Sequence, residues 1–120
     1  MGCRVIKNAV VKPVMRDVIG NHMESMGERF PKFVALTADV LRSFRFQGFV
    51  EKYPDRVYNM GVAEQNMMSF AAGLAHEGFI PFVFSFAPFA SMRAAEQIRT
   101  DICYSNARAH SNRWQLDRTM

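Results

Sequence analysis

The sequence predicts an α/β fold in which a parallel sheet carries helices on both faces. Three short apolar runs have the length of buried strands: Phe33–Thr37, Val57–Met60 and Ile80–Phe84. Around these runs, apolar residues recur at intervals of three and four, which is the spacing of amphipathic helices. Strands that alternate with helices in this way form parallel sheets, because each connection crosses back over the sheet.

The first helix is predicted to begin at Met15 and to stop at Gly27, a residue that commonly ends helices. Its apolar stripe is Met15, Val18, Ile19, Met23 and Met26. The strand Phe33–Thr37 follows, and its nearly unbroken apolar run is typical of a strand covered on both faces. A short helical piece then closes at Tyr53, before the second strand.

The clearest helix is predicted over Ala63–Glu77, with Gly78 at the position where a glycine commonly follows a helix. Its apolar stripe is Met67, Phe70, Ala71, Leu74 and Ala75. After the third strand, Pro88 is well placed to open a fourth helix. The stripe of this last helix is Ala94, Ala95, Ile98 and Ile102. From Ala107 to Met120 the sequence shows neither a strand run nor a helical stripe.

Composition narrows the classes of function. The 120 residues suit one domain, and 49% hydrophobic with 22% charged residues is the balance of a globular protein. The net charge of +4 is spread over single basic residues with no run of them, so we expect no nucleic-acid partner. No apolar stretch reaches the length of about 20 residues that a membrane helix needs. Cys3 and Cys103 form no disulfide or metal pattern, and we expect a cytoplasmic protein.

Parallel sheets bind ligands outside the carboxyl ends of their strands. That rule selects three segments, which should meet at one edge: Ala38-Asp39, Gly61–Gln65 and Ser85–Phe89. Glu64 lies in the first turn of its helix, where a carboxylate is favoured for purely structural reasons as well. Asp39 is equally open to a structural interpretation, because an Asp after a strand often caps a turn. On spacing alone, Phe86 and Phe89 suit a hydrophobic core better than a ligand surface.

A set of ordered motifs favours the functional interpretation of these residues over the structural one. The chain carries Ala38-Asp39, then Tyr53-Pro54-Asp55-Arg56, then Asn59–Met67, then Ala71–Ala75, then Gly78–Phe82, then Phe86–Phe89, Arg93-Ala94 and Glu96–Arg99. In this order and spacing, over residues 14–106, the chain resembles the pyrimidine-binding domain of transketolase-like thiamine diphosphate enzymes. The likeness is to small split transketolases, whose second half is a separate chain, with 1-deoxyxylulose-5-phosphate synthases nearby.

The resemblance implies a role for each matching residue. Glu64 matches the glutamate that hydrogen-bonds a pyrimidine ring nitrogen of thiamine diphosphate and thereby activates the cofactor. Phe86 and Phe89 match aromatic residues that pack around the aminopyrimidine, and Met92 stands where related enzymes often have another aromatic residue. Asp39 matches an acidic residue of a loop facing the cofactor. His22 and His76 match no family residue, and we expect them to be structural or exposed.

The resemblance also implies a partner. In the family, the diphosphate and its Mg²⁺ ion are held by a Gly-Asp-Gly…Asn motif on another domain, and this sequence lacks that motif. We therefore expect the cofactor to be shared with a diphosphate-binding subunit or domain in a hetero- or homo-oligomer. No metal ligands are predicted on this chain. The predicted division is an N-terminal arm (1–13), a partial pyrimidine-binding domain (14–106) and an irregular tail foreign to the domain (107–120).

Two interpretations of function remain open at this point. In the first, the chain is part of an enzyme that transfers two-carbon ketol units between sugar phosphates, or of a 1-deoxyxylulose-5-phosphate synthase-like enzyme. In the second, it is a truncated, non-catalytic remnant or interaction module. The residues of the motifs favour the first interpretation, and the unmatched tail favours the second.

Overall fold

The computed structural model describes residues 15–111, in which helices and strands alternate as predicted. The helices are α1 (Met15–Arg29), α2 (Gln47–Lys52), α3 (Glu64–His76) and the short α4 (Ala95–Gln97). The strands are β1 (Phe33–Thr37), β2 (Val57–Asn59), β3 (Ile80–Phe84) and β4 (His110–Ser111). Two π-helical segments, Phe89–Arg93 and Ile98–Tyr104, lie on either side of α4.

The strands form one parallel sheet in the order β2-β1-β3-β4. In the register of the sheet, Thr37 at the end of β1 pairs with Asn59 at the end of β2 and with Phe84 at the end of β3. The carboxyl ends of the three longer strands are therefore level with one another. Whatever follows each strand is brought to the same edge of the sheet.

Each face of the sheet is covered by its own hydrophobic cluster, because side chains alternate along a strand. On the α3 side the buried residues are Leu36, Ala38, Met67, Met68, Ala71, Val83, Ala90 and Ala94. On the side of α1 and α2 they are Met23, Phe33, Ala35, Phe46, Phe49 and Phe84. The predicted α/β fold with helices on both faces is confirmed.

The sequence predicts that helix α1 stops at Gly27, and this prediction is wrong. The helix continues to Arg29. Gly27 is buried against α2, and a Cβ atom there would lie 2.7 Å from ring carbons of both Phe49 and Tyr53. The glycine is therefore needed for close packing between helices and not for ending one. The predicted stripe is also too long, since Met15 and Val18 are exposed.

Two further details of the helical predictions are wrong. In α3 the buried face is shifted, because Met68 and Ala72 are buried while Phe70 is exposed beside Tyr58, with ring centroids 6.0 Å apart. The fourth helix is not continuous, since two π-helical segments interrupt it. Ala95, predicted in its apolar stripe, is exposed.

The segment after Asn106 contains a strand that the sequence did not predict. The two residues of β4 pair in parallel with Phe82 and Val83 of β3. A strand of two residues is too short to show an alternating pattern, which explains why it was missed. The predicted arm, residues 1–13, and residues 112–120 of the predicted tail lie outside the described residues. No helix within residues 15–111 is both long enough and apolar enough to cross a membrane.

Candidate functional site

The three loops that follow the strands meet at one edge, as the sequence predicted. Asn59 joins the first two loops: its side-chain amide donates to the Asp39 carboxylate at 3.1 Å, and its amide oxygen accepts the Asp39 backbone N–H at 3.0 Å. The same oxygen accepts the backbone N–H of Gly61 at 3.1 Å. These bonds hold the start of the Gly61–Gln65 segment against the end of β1.

Glu64 joins the second loop to the third. It is the first residue of α3, and it is buried at the edge of the sheet with only 2% of its side chain exposed. The Ser85 hydroxyl, just past the end of β3, donates to Oε1 of Glu64 at 3.3 Å. The Arg93 guanidinium donates to Oε2 at 3.0 Å. A buried carboxylate thus lies at the point where two strand ends and a helix start converge.

The protonation state of Glu64 is set by opposing effects that sequence reasoning could not weigh. Burial raises the pKa of this carboxyl, since the charged form is desolvated. The backbone N–H at the helix start, the Arg93 guanidinium and the Ser85 hydroxyl all lower it, and together they prevail. The pKa of Glu64 is therefore below its ordinary value of 4.5, and the group is a carboxylate at neutral pH in the chain without ligand.

Two aromatic rings close to Ser85 and Arg93, the two hydrogen-bond partners of this carboxylate, are open to solvent. Phe86 and Phe89 are both exposed, with ring centroids 6.3 Å apart and ring planes at 81°. The Arg93 guanidinium carbon lies over the Phe89 ring, 4.3 Å from its centroid. Met92 is 79% exposed on the same segment. The core interpretation that spacing alone favoured for the two phenylalanines is therefore wrong, and they form an exposed apolar surface.

Asp39 sits in the left-handed region of backbone conformation, with φ of 58°. Its side chain is exposed and bonded to Asn59, which is the turn-forming arrangement that an Asp after a strand commonly adopts. This geometry explains Asp39 without a ligand. The matching role in the resemblance stays a prediction.

Two residues of the site were not assigned by sequence reasoning. Ser85 was noted only as the start of a loop, and Arg93 only as part of a motif. Arg93 follows Phe89 by four residues, about one helical turn, so a shared face was foreseeable. Its pairing with Glu64, 29 positions earlier, was not, because it depends on how the last helical segment packs on α3.

His22 and His76 are both exposed, as was expected from the sequence. His76 lies at the end of α3, where its Nε2 is 3.1 Å from the Ser105 hydroxyl. Among residues 15–111, no group of three or more His, Cys, Asp or Glu side chains is arranged to hold a metal ion.

Comparison with known proteins agrees with this fold. The family model described as the pyrimidine-binding domain of transketolase matches residues 11–111. A solved structure described as a split-gene transketolase, an inactive β4 tetramer, superposes with a TM-score of 0.73 at 43% identity, covering 80% of this chain and 32% of that one.

Curated relatives are longer than this chain. A protein of Methanocaldococcus jannaschii, provisionally described as a transketolase C-terminal section, is 41% identical over 100 residues, which are 83% of this chain and 32% of the relative. A 1-deoxy-D-xylulose-5-phosphate synthase of Syntrophus aciditrophicus is 38% identical over 96 residues, or 80% of this chain and 15% of the relative. The chain therefore spans between about a seventh and a third of these proteins. On the match to the family model, the chain belongs to the transketolase pyrimidine-binding domain family.

Proposed function

We propose that this chain supplies the pyrimidine side of a thiamine diphosphate site in a transketolase-like enzyme that transfers two-carbon ketol units between sugar phosphates. The observation that carries the proposal is the Glu64 carboxylate, buried at the carboxyl edge of the sheet beside two exposed phenyl rings. Family membership makes thiamine diphosphate the ligand to expect at that edge.

The residues present fit one half of this cofactor. An aminopyrimidine is a flat heterocycle with ring nitrogens, which suits an apolar aromatic surface with one hydrogen-bonding carboxyl group beside it. Phe86 and Phe89 offer the surface, and Glu64 offers the carboxyl group. When bound, thiamine diphosphate would supply the carbanion chemistry for moving a ketol unit.

The other half of the cofactor does not fit this chain. A diphosphate with a divalent cation needs oxygen ligands and backbone donors, usually in a glycine-rich turn. The sequence has no Gly-Asp-Gly motif. We therefore place the diphosphate and its Mg²⁺ ion on a partner subunit or domain, with the cofactor lying between the two.

The task of Glu64 is to hold a hydrogen bond to a ring nitrogen while excluded from water. In the chain without ligand it is ionised, because Arg93 and the helix start stabilise its charge. A neutral ring that shields the carboxylate from solvent and from Arg93 would raise its pKa, since burial disfavours the charged form. Binding would then bring Glu64 closer to sharing a proton with the ring nitrogen.

The experiment is reconstitution of ketol transfer with the diphosphate-binding subunit of a split transketolase, thiamine diphosphate and Mg²⁺. We expect no turnover by the purified chain alone and turnover when the partner is added. Glu64→Ala should lower the reconstituted rate by about 10²-fold or more, the size of a lost acid–base group. Glu77→Ala, which removes an exposed carboxylate at the other end of α3, is the matched control and should leave the rate unchanged.

Each result has a clear meaning. Turnover by the chain alone would contradict the shared site, and near-normal turnover by Glu64→Ala would remove Glu64 from the mechanism. If no diphosphate-binding subunit restores turnover, the non-catalytic interpretation is favoured. Relatives include 1-deoxy-D-xylulose-5-phosphate synthases, so formation of 1-deoxyxylulose 5-phosphate in place of ketol transfer would assign the chain to that enzyme class.

A further inference from the structure

Arg93 makes two contacts at once at the edge of the sheet. Its guanidinium donates to Oε2 of Glu64 at 3.0 Å and lies over the ring of Phe89 at 4.3 Å from the centroid. A guanidinium group is planar, carries only donors and stacks on aromatic rings. An aminopyrimidine ring is also flat and stacks on aromatic rings, and its ring nitrogen donates to Glu64 when it carries the proton that the two groups share.

The two members of the Glu64–Arg93 ion pair differ strongly in their exposure to solvent. The Glu64 side chain is 2% exposed and the Arg93 side chain 46% exposed. Oε1 of the carboxylate already accepts the Ser85 hydroxyl. The guanidinium is thus the solvent-facing partner of the carboxylate, and it occupies the oxygen that Ser85 does not.

We propose that Arg93 is an internal substitute for the aminopyrimidine, holding Glu64 and Phe89 in the free chain until ring binding displaces it from Oε2. This inference rests on the proposed function and adds a competing residue to it. Arg93 is a positioning residue in this scheme, because it acts through the carboxylate.

Physical reasons favour both halves of the proposal. A buried carboxylate without a cationic partner destabilises a fold, so the free chain needs Arg93 near Glu64. The Arg93 side chain is nevertheless 46% exposed, so water can hydrate its guanidinium when the pair opens. Arg93 is therefore bound firmly enough to compensate the charge and loosely enough to be displaced.

The π-helical turn Phe89–Arg93 supports the arrangement. π-turns widen a helix locally and occur frequently at functional sites. Here the turn begins at Phe89 and ends at Arg93, so the two residues in contact are its first and last.

The first test measures binding of the isolated pyrimidine half of thiamine to the purified chain. The probe is 4-amino-5-hydroxymethyl-2-methylpyrimidine, and its binding is monitored by NMR. Displacing a closed conformation lowers apparent affinity by the fraction that is open. We therefore expect Arg93→Met, which keeps an apolar stem over Phe89, to bind the probe roughly threefold to tenfold more tightly, as an open fraction of about 10–30% in the wild type implies. Arg93→Lys should bind the probe with an affinity nearer that of the wild type. Arg99→Met, which removes an exposed arginine of the second π-helical segment, should bind it as the wild type does.

The outcomes separate this inference from the proposed function. Equal or weaker binding by Arg93→Met overturns the inference, because Arg93 would then be indifferent or a direct ligand contact. Absence of probe binding by every variant also overturns it, since displacement in the free chain is what it asserts. The proposed function is judged independently, by reconstituted ketol transfer with Glu64→Ala.

A second measurement does not depend on ligand affinity. In a ¹³C NMR titration of the free chain, Arg93→Met should move the Glu64 carboxyl midpoint upward, and an unchanged midpoint overturns the pairing. If Arg93→Met does not fold, the wild-type Arg93 Nε signal provides the test. It should shift when the probe is added, and an unmoved signal at saturating probe overturns the inference.

Discussion

Helix α1 passes unusually close to the loop before α2, and Gly20 makes that approach possible. A Cβ atom at Gly20 would lie 2.5 Å from the carbonyl oxygen of Arg45 and 3.1 Å from its carbonyl carbon. Both atoms belong to the backbone, and Arg45 is already held in the left-handed region with φ of 50°. We predict that Gly20→Ala destabilises the fold, although alanine is the better helix former.

Whether Gly20→Ala stabilises or destabilises the fold depends on two opposing contributions to the free energy of unfolding. Alanine is favoured over glycine in a helix interior by about 1 kcal/mol. Forcing a methyl group into filled space typically costs about 1–3 kcal/mol, and a backbone carbonyl cannot rotate away as a side chain can. We expect a net loss of about 1 kcal/mol for Gly20→Ala. Gly73 in α3 has no atom within 4 Å of its Cβ position, so Gly73→Ala should gain about 1 kcal/mol.

The assay is urea unfolding monitored by far-UV circular dichroism. It is carried out at two protein concentrations, so that the effect of association is separated from that of folding. The two variants should differ by about 2 kcal/mol in the free energy of unfolding, with the wild type between them. A Gly20→Ala variant at least as stable as the wild type would refute the close approach of α1 to the Arg45 loop. Loss of stability in Gly73→Ala would refute the open surroundings of that residue.

Three other predictions concern charge and association. The pKa of Glu64 is lower in the folded chain than its ordinary value of 4.5. The ionised carboxylate therefore stabilises the fold above pH 4.5, and this stabilisation is lost as the pH falls through the pKa of the folded chain. Glu64→Gln should therefore flatten the acid side of the stability profile in urea unfolding, and an unchanged pH slope would contradict this. Ser69 donates to Asp101 at 2.5 Å and is the main cause of the lowered pKa of that carboxyl. Ser69→Ala should raise the Asp101 midpoint toward its ordinary value of 3.8 in an NMR titration, and no change would disprove the bond. Sedimentation should show concentration-dependent association, because large apolar side chains are exposed, and a monodisperse monomer at every concentration would argue against it. These side chains are Val62, Phe86, Phe89 and Met92.

The sheet was predictable from sequence because each long strand has a distinctive local signal. Phe33–Thr37 is buried at every position, and its apolar run shows this directly. The meeting of three loops at one edge followed from the parallel topology alone. Glu64 could be placed at that edge for the same reason, since it follows the second strand.

What could not be predicted depends on packing between distant segments. Gly27 looked like a helix stop because glycine is poor in helices, yet its lack of a side chain serves the contact with α2. Arg93 reaches Glu64 only because the last helical segment packs on α3. The exposure of Phe86 and Phe89 likewise depends on where that segment turns, which spacing along the chain does not determine.

The most direct test of the account is a crystal structure of this chain with a diphosphate-binding transketolase subunit, thiamine diphosphate and Mg²⁺. We predict that a carboxylate oxygen of Glu64 lies about 2.6–3.0 Å from a pyrimidine ring nitrogen, with the ring against the phenylalanine surface. A cofactor whose pyrimidine ring lies away from Glu64, with the carboxylate still bonded to Arg93, would contradict the central claim.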